Sequence, residues 1–183
     1  EMKLRVFAVA VTLAFVAGTT ALAQDAALEK ALLAAPRQMK DGATVIKWKG
    51  DFTYDTLRKG TNRLVCYERP VGPGQQPFSV ECTSIANLER VAQSLKTETI
   101  ADPMARRAAF EEMEKAGKWT KPEFGSVFYN LTGADQASAR SHVTIAVPGA
   151  TKATFGLPED GNQGGVWIMS PGTSAAHLMT PGH

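Results

Sequence analysis

Cys66 and Cys82, the only cysteines in the chain, sit inside two β-like runs, and that placement narrows the fold more than any other feature. Arg63-Leu-Val-Cys-Tyr-Glu68 and Phe78-Ser-Val-Glu-Cys82 read as strands. The segment Arg69-Pro-Val-Gly-Pro-Gly-Gln-Gln-Pro77 between them is a loop by composition. Folded as a hairpin about Gly74, the pair sets Cys66 opposite Cys82. The two-residue period of a strand then puts Leu64 with Cys66 on one face, and Phe78, Val80 and Cys82 together on the partner. Both sulfurs point toward the core. A redox pair would show C-x-x-C and a zinc site would need more ligands, so the expectation is a disulfide. A bridge closing a loop of this size contributes on the order of 3 kcal/mol in the chain-entropy model.

A disulfide asks for an oxidising compartment, and the beginning of the chain supplies a route to one. Lys3 and Arg5 form a positive head, an apolar stretch runs from Val6 to Ala17, and small residues lead to Ala21-Leu22-Ala23. This is the pattern of a secretory signal peptide over residues 1–23, with cleavage after Ala23. The apolar run is about a dozen residues, short of the roughly 20 a spanning helix needs. No later stretch approaches that length, so no transmembrane segment is expected after cleavage. The location implied is the periplasm or the extracellular medium.

The remaining length suits one domain. A formal net charge of +2 over 183 residues argues for neither a nucleic-acid groove nor an anionic-membrane patch. Residues 24–42 are expected to form an N-terminal helix or a loose arm, and residues 43–183 a single domain. Strand signals fall at Ala43–Trp48 and Phe52–Arg58, with Lys59-Gly60-Thr61-Asn62 as a turn into the cysteine hairpin. Helical spacing follows. Leu88, Val91, Ala92 and Leu95 make one apolar stripe. Asp102-Pro103 starts a second helix with an N-cap and a proline at its first position. Ala105, Ala109, Phe110 and Met113 form its stripe, Glu111 and Lys115 are spaced for a surface pair, and Gly117 ends it. Strands return at Phe124–Leu131, His142–Val147, Val166–Met169 and Ala175–Met179. The fold expected is α+β, a single domain whose antiparallel sheet carries the central helical pair on one face.

Candidate functional residues cluster in the last third. Histidine occurs only at 142, 177 and 183. Neighbouring strands could bring His142 and His177 together, with Asp160 or Glu159 as a third group, and two imidazoles with a carboxylate can hold a divalent metal. The bland alternative is two half-buried histidines donating to backbone carbonyls. No resident cofactor is otherwise implied. Ser170 or Ser174 with His177 and Asp160 could be drawn as a hydrolytic triad, but the Gly-x-Ser-x-Gly elbow is absent and no helix follows Ser170. Glu111, Glu112 and Glu114 read as a solvated helix face. Gly161-Asn-Gln-Gly-Gly165 follows no strand-to-helix pattern and does not read as a phosphate cradle.

The segments Leu57-Arg58, Gly60-Thr61-Asn62 and Cys66, then Ser141-His142-Val143-Thr144, Gly164-Gly165, Ile168-Met169, Gly172-Thr173, Ala176-His177-Leu178-Met179 and Pro181 carry a resemblance. They are similar to an uncharacterised family of exported bacterial proteins whose tail reads GG…M-x-x-G-T-x-x-A-H-x-M-x-P. Ser170-Pro171 and Ser174-Ala175 depart from it. The resemblance implies export and one compact fold, and it marks His142 and His177 as matching positions without assigning an activity.

The function expected is an exported, non-enzymatic domain that binds a small ligand or an envelope protein. The alternative is a metal-binding protein or hydrolase built on His142 and His177. Alkylation of the unreduced, natively exported protein followed by mass spectrometry should find neither thiol available; two labelled cysteines would refute the bridge.

Overall fold

The strands that the chain's alternating runs produce are β1 (Thr44–Trp48), β2 (Tyr54–Arg58), β3 (Leu64–Glu68), β4 (Phe78–Ser84), β5 (Val127–Gly133), β6 (Arg140–Ala146), β7 (Trp167–Met169) and β8 (His177–Met179). They form one sheet in the order β2-β1-β3-β4-β5-β6-β8-β7. The structure, a computed structural model, describes residues 24–180. The leader expected over 1–23, its cleavage site and His183 lie outside the described residues.

The sheet departs from the expected antiparallel pattern at one place. β1 and β3 run parallel, with Thr44 opposite Val65 and Val45 opposite Cys66; every other pair is antiparallel. The cause is the crossing after β2. β2 returns alongside β1 and ends near where β1 begins, so a chain that crosses at once to the other flank of β1 must set out in β1's own direction. The crossing is tight. The Thr61 and Asn62 amides donate to the Gly42 carbonyl at 2.8 and 3.0 Å. A Cβ at Gly60 would meet the Gly42 carbonyl oxygen at 2.3 Å and the Thr44 nitrogen at 2.4 Å. Only glycine leaves room for two backbones this close.

The two faces of the sheet are filled differently. Residues 24–31 form a helix, α1, continued by a 3-10 turn at Leu32–Ala34. Ala31 and Leu32 pack on Ala43, Val45, Leu64, Cys66 and Cys82. The N-terminal segment is therefore docked, part of the core rather than a loose arm. Cys66 and Cys82 are direct cross-strand partners, disulfide-bonded and fully buried beneath α1. On the opposite face α2 (Leu88–Glu98) sets Leu88, Val91 and Leu95 against Ile46, Trp48, Val65 and Tyr67. Each such side chain contributes roughly 1.5–3 kcal/mol on burial.

The second central helix behaves otherwise than its apolar stripe suggests. α3 (Pro103–Lys115) is capped as expected, the Asp102 carboxylate accepting from the Ala105 amide at 2.7 Å, but it buries no residue. It lies against α2 rather than the sheet, where Phe110 meets the Trp119 ring edge-on at 5.1 Å. Glu111 pairs with Arg107 one turn earlier, not with Lys115. Among the described residues no helix is long and apolar enough to cross a membrane.

Gly60→Ala should cost about 1–3 kcal/mol, the usual range for overpacking, because the added methyl meets backbone that cannot rotate away. Urea unfolding checks it; a midpoint equal to that of Gly50→Ala, where a Cβ meets nothing within 4 Å, would show that the crossing is not tight.

Candidate functional site

α2 packs mainly over β1 and β3, with Phe128 of β5 at the edge of that contact. Beyond it a cleft of about 370 Å3 lies between the helix and β5, β6 and β8, with the buried Glu81 of β4 at its margin. Its floor follows from register. Tyr67 lies opposite Glu81, Glu81 opposite Asn130, and Asn130 opposite His142, so four polar side chains from β3, β4, β5 and β6 form one row. Of these, Glu81, Asn130 and His142 line the cleft. The alternation that aims Phe78, Val80 and Cys82 at α1 aims Glu81 to the helix side.

Glu81 is only 4% exposed, and its carboxylate is fully engaged. The Tyr67 hydroxyl donates to one oxygen, and Arg69 Nη1 donates to the other at 2.8 Å. Arg69 Nη2 donates to both oxygens of Glu98, each at 2.7 Å, in the last turn of α2. Burial opposes the charge on Arg69, but Glu81 and then Glu98 outweigh it and hold the guanidinium above its ordinary value. Burial, reinforced by the Glu81 charge, pushes the Tyr67 phenol well above its usual 10.0. Asn130 and His142 take no part in this network.

A second buried cation stands on the helix wall. Arg90 Nη1 donates to the Thr120 carbonyl at 2.9 Å and to Ser174 Oγ at 3.2 Å, and its guanidinium lies 4.7 Å from the centroid of the Trp119 ring. Burial pushes Arg90 down to about 10, with Glu114 pulling the other way; at neutral pH it is a fixed cation. The Ser174 amide and hydroxyl both donate to the Glu114 carboxylate. Glu114, read from the sequence as part of a solvated face, is half-buried and pins α3 to the turn before β8.

The histidines line the same cleft, yet the register keeps them apart. His177 lies opposite Ala146, four residues along β6 from His142. At about 3.4 Å per residue their Cα atoms are on the order of 13 Å apart along the strand, and side chains stand roughly perpendicular to a sheet. Two nitrogens on one ion would be within about 4 Å of each other, given bonds near 2 Å. Asp160 is not among the lining residues; its carboxylate accepts from the Asn162 amide at 3.0 Å and caps the turn Gly161–Gln163. The expected His142–His177–Asp160 set is thus not brought together. Among the described residues no group of three or more His, Cys, Asp and Glu side chains is placed to hold a metal.

The drawn triad is not assembled either. His177 Nδ1 lies 2.8 Å from the Ala175 carbonyl, which can only accept, so Nδ1 carries a proton and, in the neutral ring, Nε2 is the nitrogen with the lone pair. The group orienting His177 is a carbonyl rather than the Asp160 carboxylate, and Ser174 spends its hydroxyl proton on Glu114. Sequence reasoning missed Arg69, Glu81, Arg90, Glu98 and Glu114. The one available signal was Glu81 in the alternating strand Phe78–Ser84, whose polar set Ser79, Glu81 and Thr83 reads as solvent-facing until the helix side is filled. No family model matches the chain, and no similar protein was found among curated proteins or solved structures.

Because the folded state keeps Tyr67 protonated while the unfolded state releases its proton above pH 10, this group's contribution to stability is complete below about pH 10 and is lost as pH rises further. Wild type should therefore lose about 1.4 kcal/mol per pH unit relative to Tyr67→Phe above that point. Denaturant unfolding at a series of alkaline pH values measures it; parallel curves would mean the phenol is not shielded as described.

Proposed function

We propose that this chain is an exported, non-enzymatic binding protein that takes a small neutral organic molecule into the cleft between α2 and β5, β6 and β8. The observation that carries the reading is the uncovered stretch of helix-side sheet. Its volume falls within the roughly 300–1,000 Å3 of small-molecule sites. Its walls include Val91, Phe128, Ala146 and Met179, and its polar groups converge from different strands. Asn130 offers an amide donor and acceptor, His177 offers an Nε2 acceptor, and His142 closes the row. Arg69 is paired with Glu81 and Glu98, and Arg90, bonded to the Thr120 carbonyl and the Ser174 hydroxyl, has the Glu114 carboxylate on the far side of that serine, so each guanidinium has a carboxylate nearby, which favours a neutral ligand over an ionic one.

Export is part of the same proposal. It draws on the leader pattern and on a buried disulfide, which persists in oxidising compartments. The resemblance to exported bacterial proteins favours the same location, and its two histidine positions both fall on the cleft. A binding role is favoured over hydrolysis because no serine in the cleft is poised against an imidazole.

A library of neutral amide and heteroaromatic fragments, titrated by NMR, should shift the Asn130 side-chain amide together with the ring signals of His142 and His177. Asn130→Ala should weaken the best fragment by about tenfold, the upper range for one lost hydrogen bond. Fragments that shift only residues outside the cleft, or that bind the variant equally well, would overturn the assignment.

A further inference from the structure

The β7–β8 end of the cleft gathers a different kind of chemistry from its floor. Met169 lies directly opposite His177, and Met179 lies two residues from His177 on the same strand and therefore on the same face. All three line the cleft. Directly opposed residues have Cβ atoms about 4.5–5.5 Å apart, and the diagonal is about 7–8 Å, within reach of long side chains. Methionine, unbranched with three rotatable bonds, can swing its sulfur across such a gap. Met169 is 42% exposed, so it is not filling a space in the core. The imidazole, by contrast, is held. Nδ1–H donates to the Ala175 carbonyl, the support that metal-bound histidines usually have, and it leaves the Nε2 lone pair for a ligand.

We propose that Met169, His177 and Met179 form a site for a soft monovalent metal ion, Cu(I). Two thioethers and one neutral imidazole are a soft, uncharged donor set, and thioethers select Cu(I) over the harder divalent ions. Zinc is bound by thiolate, imidazole and carboxylate, and this triangle holds one imidazole and neither of the others. The chain has no free thiol to compete for the ion, since its two cysteines are paired. Binding to three neutral donors releases no proton and changes no oxidation state. His142, displaced along the floor, is not part of the triangle. The site does not rest on the organic-ligand reading, because it uses the thioethers and a single nitrogen at one end of the cleft.

The test uses the full disulfide-bonded chain with Ag(I), a redox-inert probe for Cu(I), in chloride-free buffer. Native mass spectrometry should show one ion retained. NMR of the methionine methyl groups should show Met169 and Met179 shifting, while Met39, Met104 and Met113 stay in place. The double variant Met169→Leu with Met179→Leu should bind Ag(I) on the order of a hundredfold more weakly, at least what loss of a supporting partner costs a metal site. Leucine nearly conserves methionine's volume, and an unchanged circular dichroism spectrum verifies the fold. Met104→Leu, on an exposed position of α3, should bind as wild type does. Zn(II) should not displace the bound Ag(I). No retained ion, equal binding by the double variant, shifts centred on other methionines, or displacement by Zn(II) would each overturn the proposal. The fragment shifts at Asn130 and His142 report separately on the organic-ligand reading.

Discussion

The Arg69–Glu81 ion pair is the constraint around which the rest is arranged. Glu81 is a carboxylate in the middle of a sheet, on the face a helix covers, and a charge there must be paired. Removing one partner of such a buried pair costs roughly 3–5 kcal/mol, because the other is left without compensation. Arg69 satisfies Glu81 with one nitrogen and Glu98 with another, so the same guanidinium holds the last turn of α2 at the end of β3. That anchorage keeps the helix over β1 and β3 and leaves the cleft beyond it, toward β5, β6 and β8. The disulfide ties the same two strands on the opposite face. The β3–β4 pair is thus clamped from both sides, ionically toward the helix and covalently toward α1.

Much of this architecture was legible because local pattern and tertiary role agree. The cysteine strands alternate, their loop is rich in proline and glycine, and the sulfurs meet at the position the hairpin dictates. Asp102 and Pro103 start α3 where their chemistry says they should, and Gly117, at φ 64°, ends it. The parallel pairing of β1 with β3 was not legible. Lys59-Gly60-Thr61-Asn62 announces a change of direction, but a turn signal does not say on which flank of β1 the chain emerges. The steric reason for Gly60 exists only once Gly42 and Thr44 are beside it.

The candidate site was half legible for the same reason. His142 and His177 drew attention as scarce ring nitrogens, and both face the cleft. Their separation depends on register, which pairs His177 with Ala146 rather than with a residue nearer His142, and periodicity fixes a face without fixing register. The buried charges were opaque. Glu114 looks like any glutamate of a polar helix until Ser174, sixty residues later, presents its amide and hydroxyl to it. Ser174 in turn looked like a turn serine or a nucleophile, and its actual task is to fasten a helix to a loop.

The position of β8 has a consequence for how this molecule is born. The strand comes after β7 in the chain, yet it is sandwiched between β6 and β7, so it enters a gap rather than extending a margin. A polypeptide that ends at Met169 holds every strand of the clamped half, while β6 and β7 still lack the rung that joins them. The β8 wall of the recess, with His177 and Met179, is therefore the last part to arrive, and a chain cut between Met169 and His177 would keep strands β1 to β6 but lack the strand that joins β7 to them.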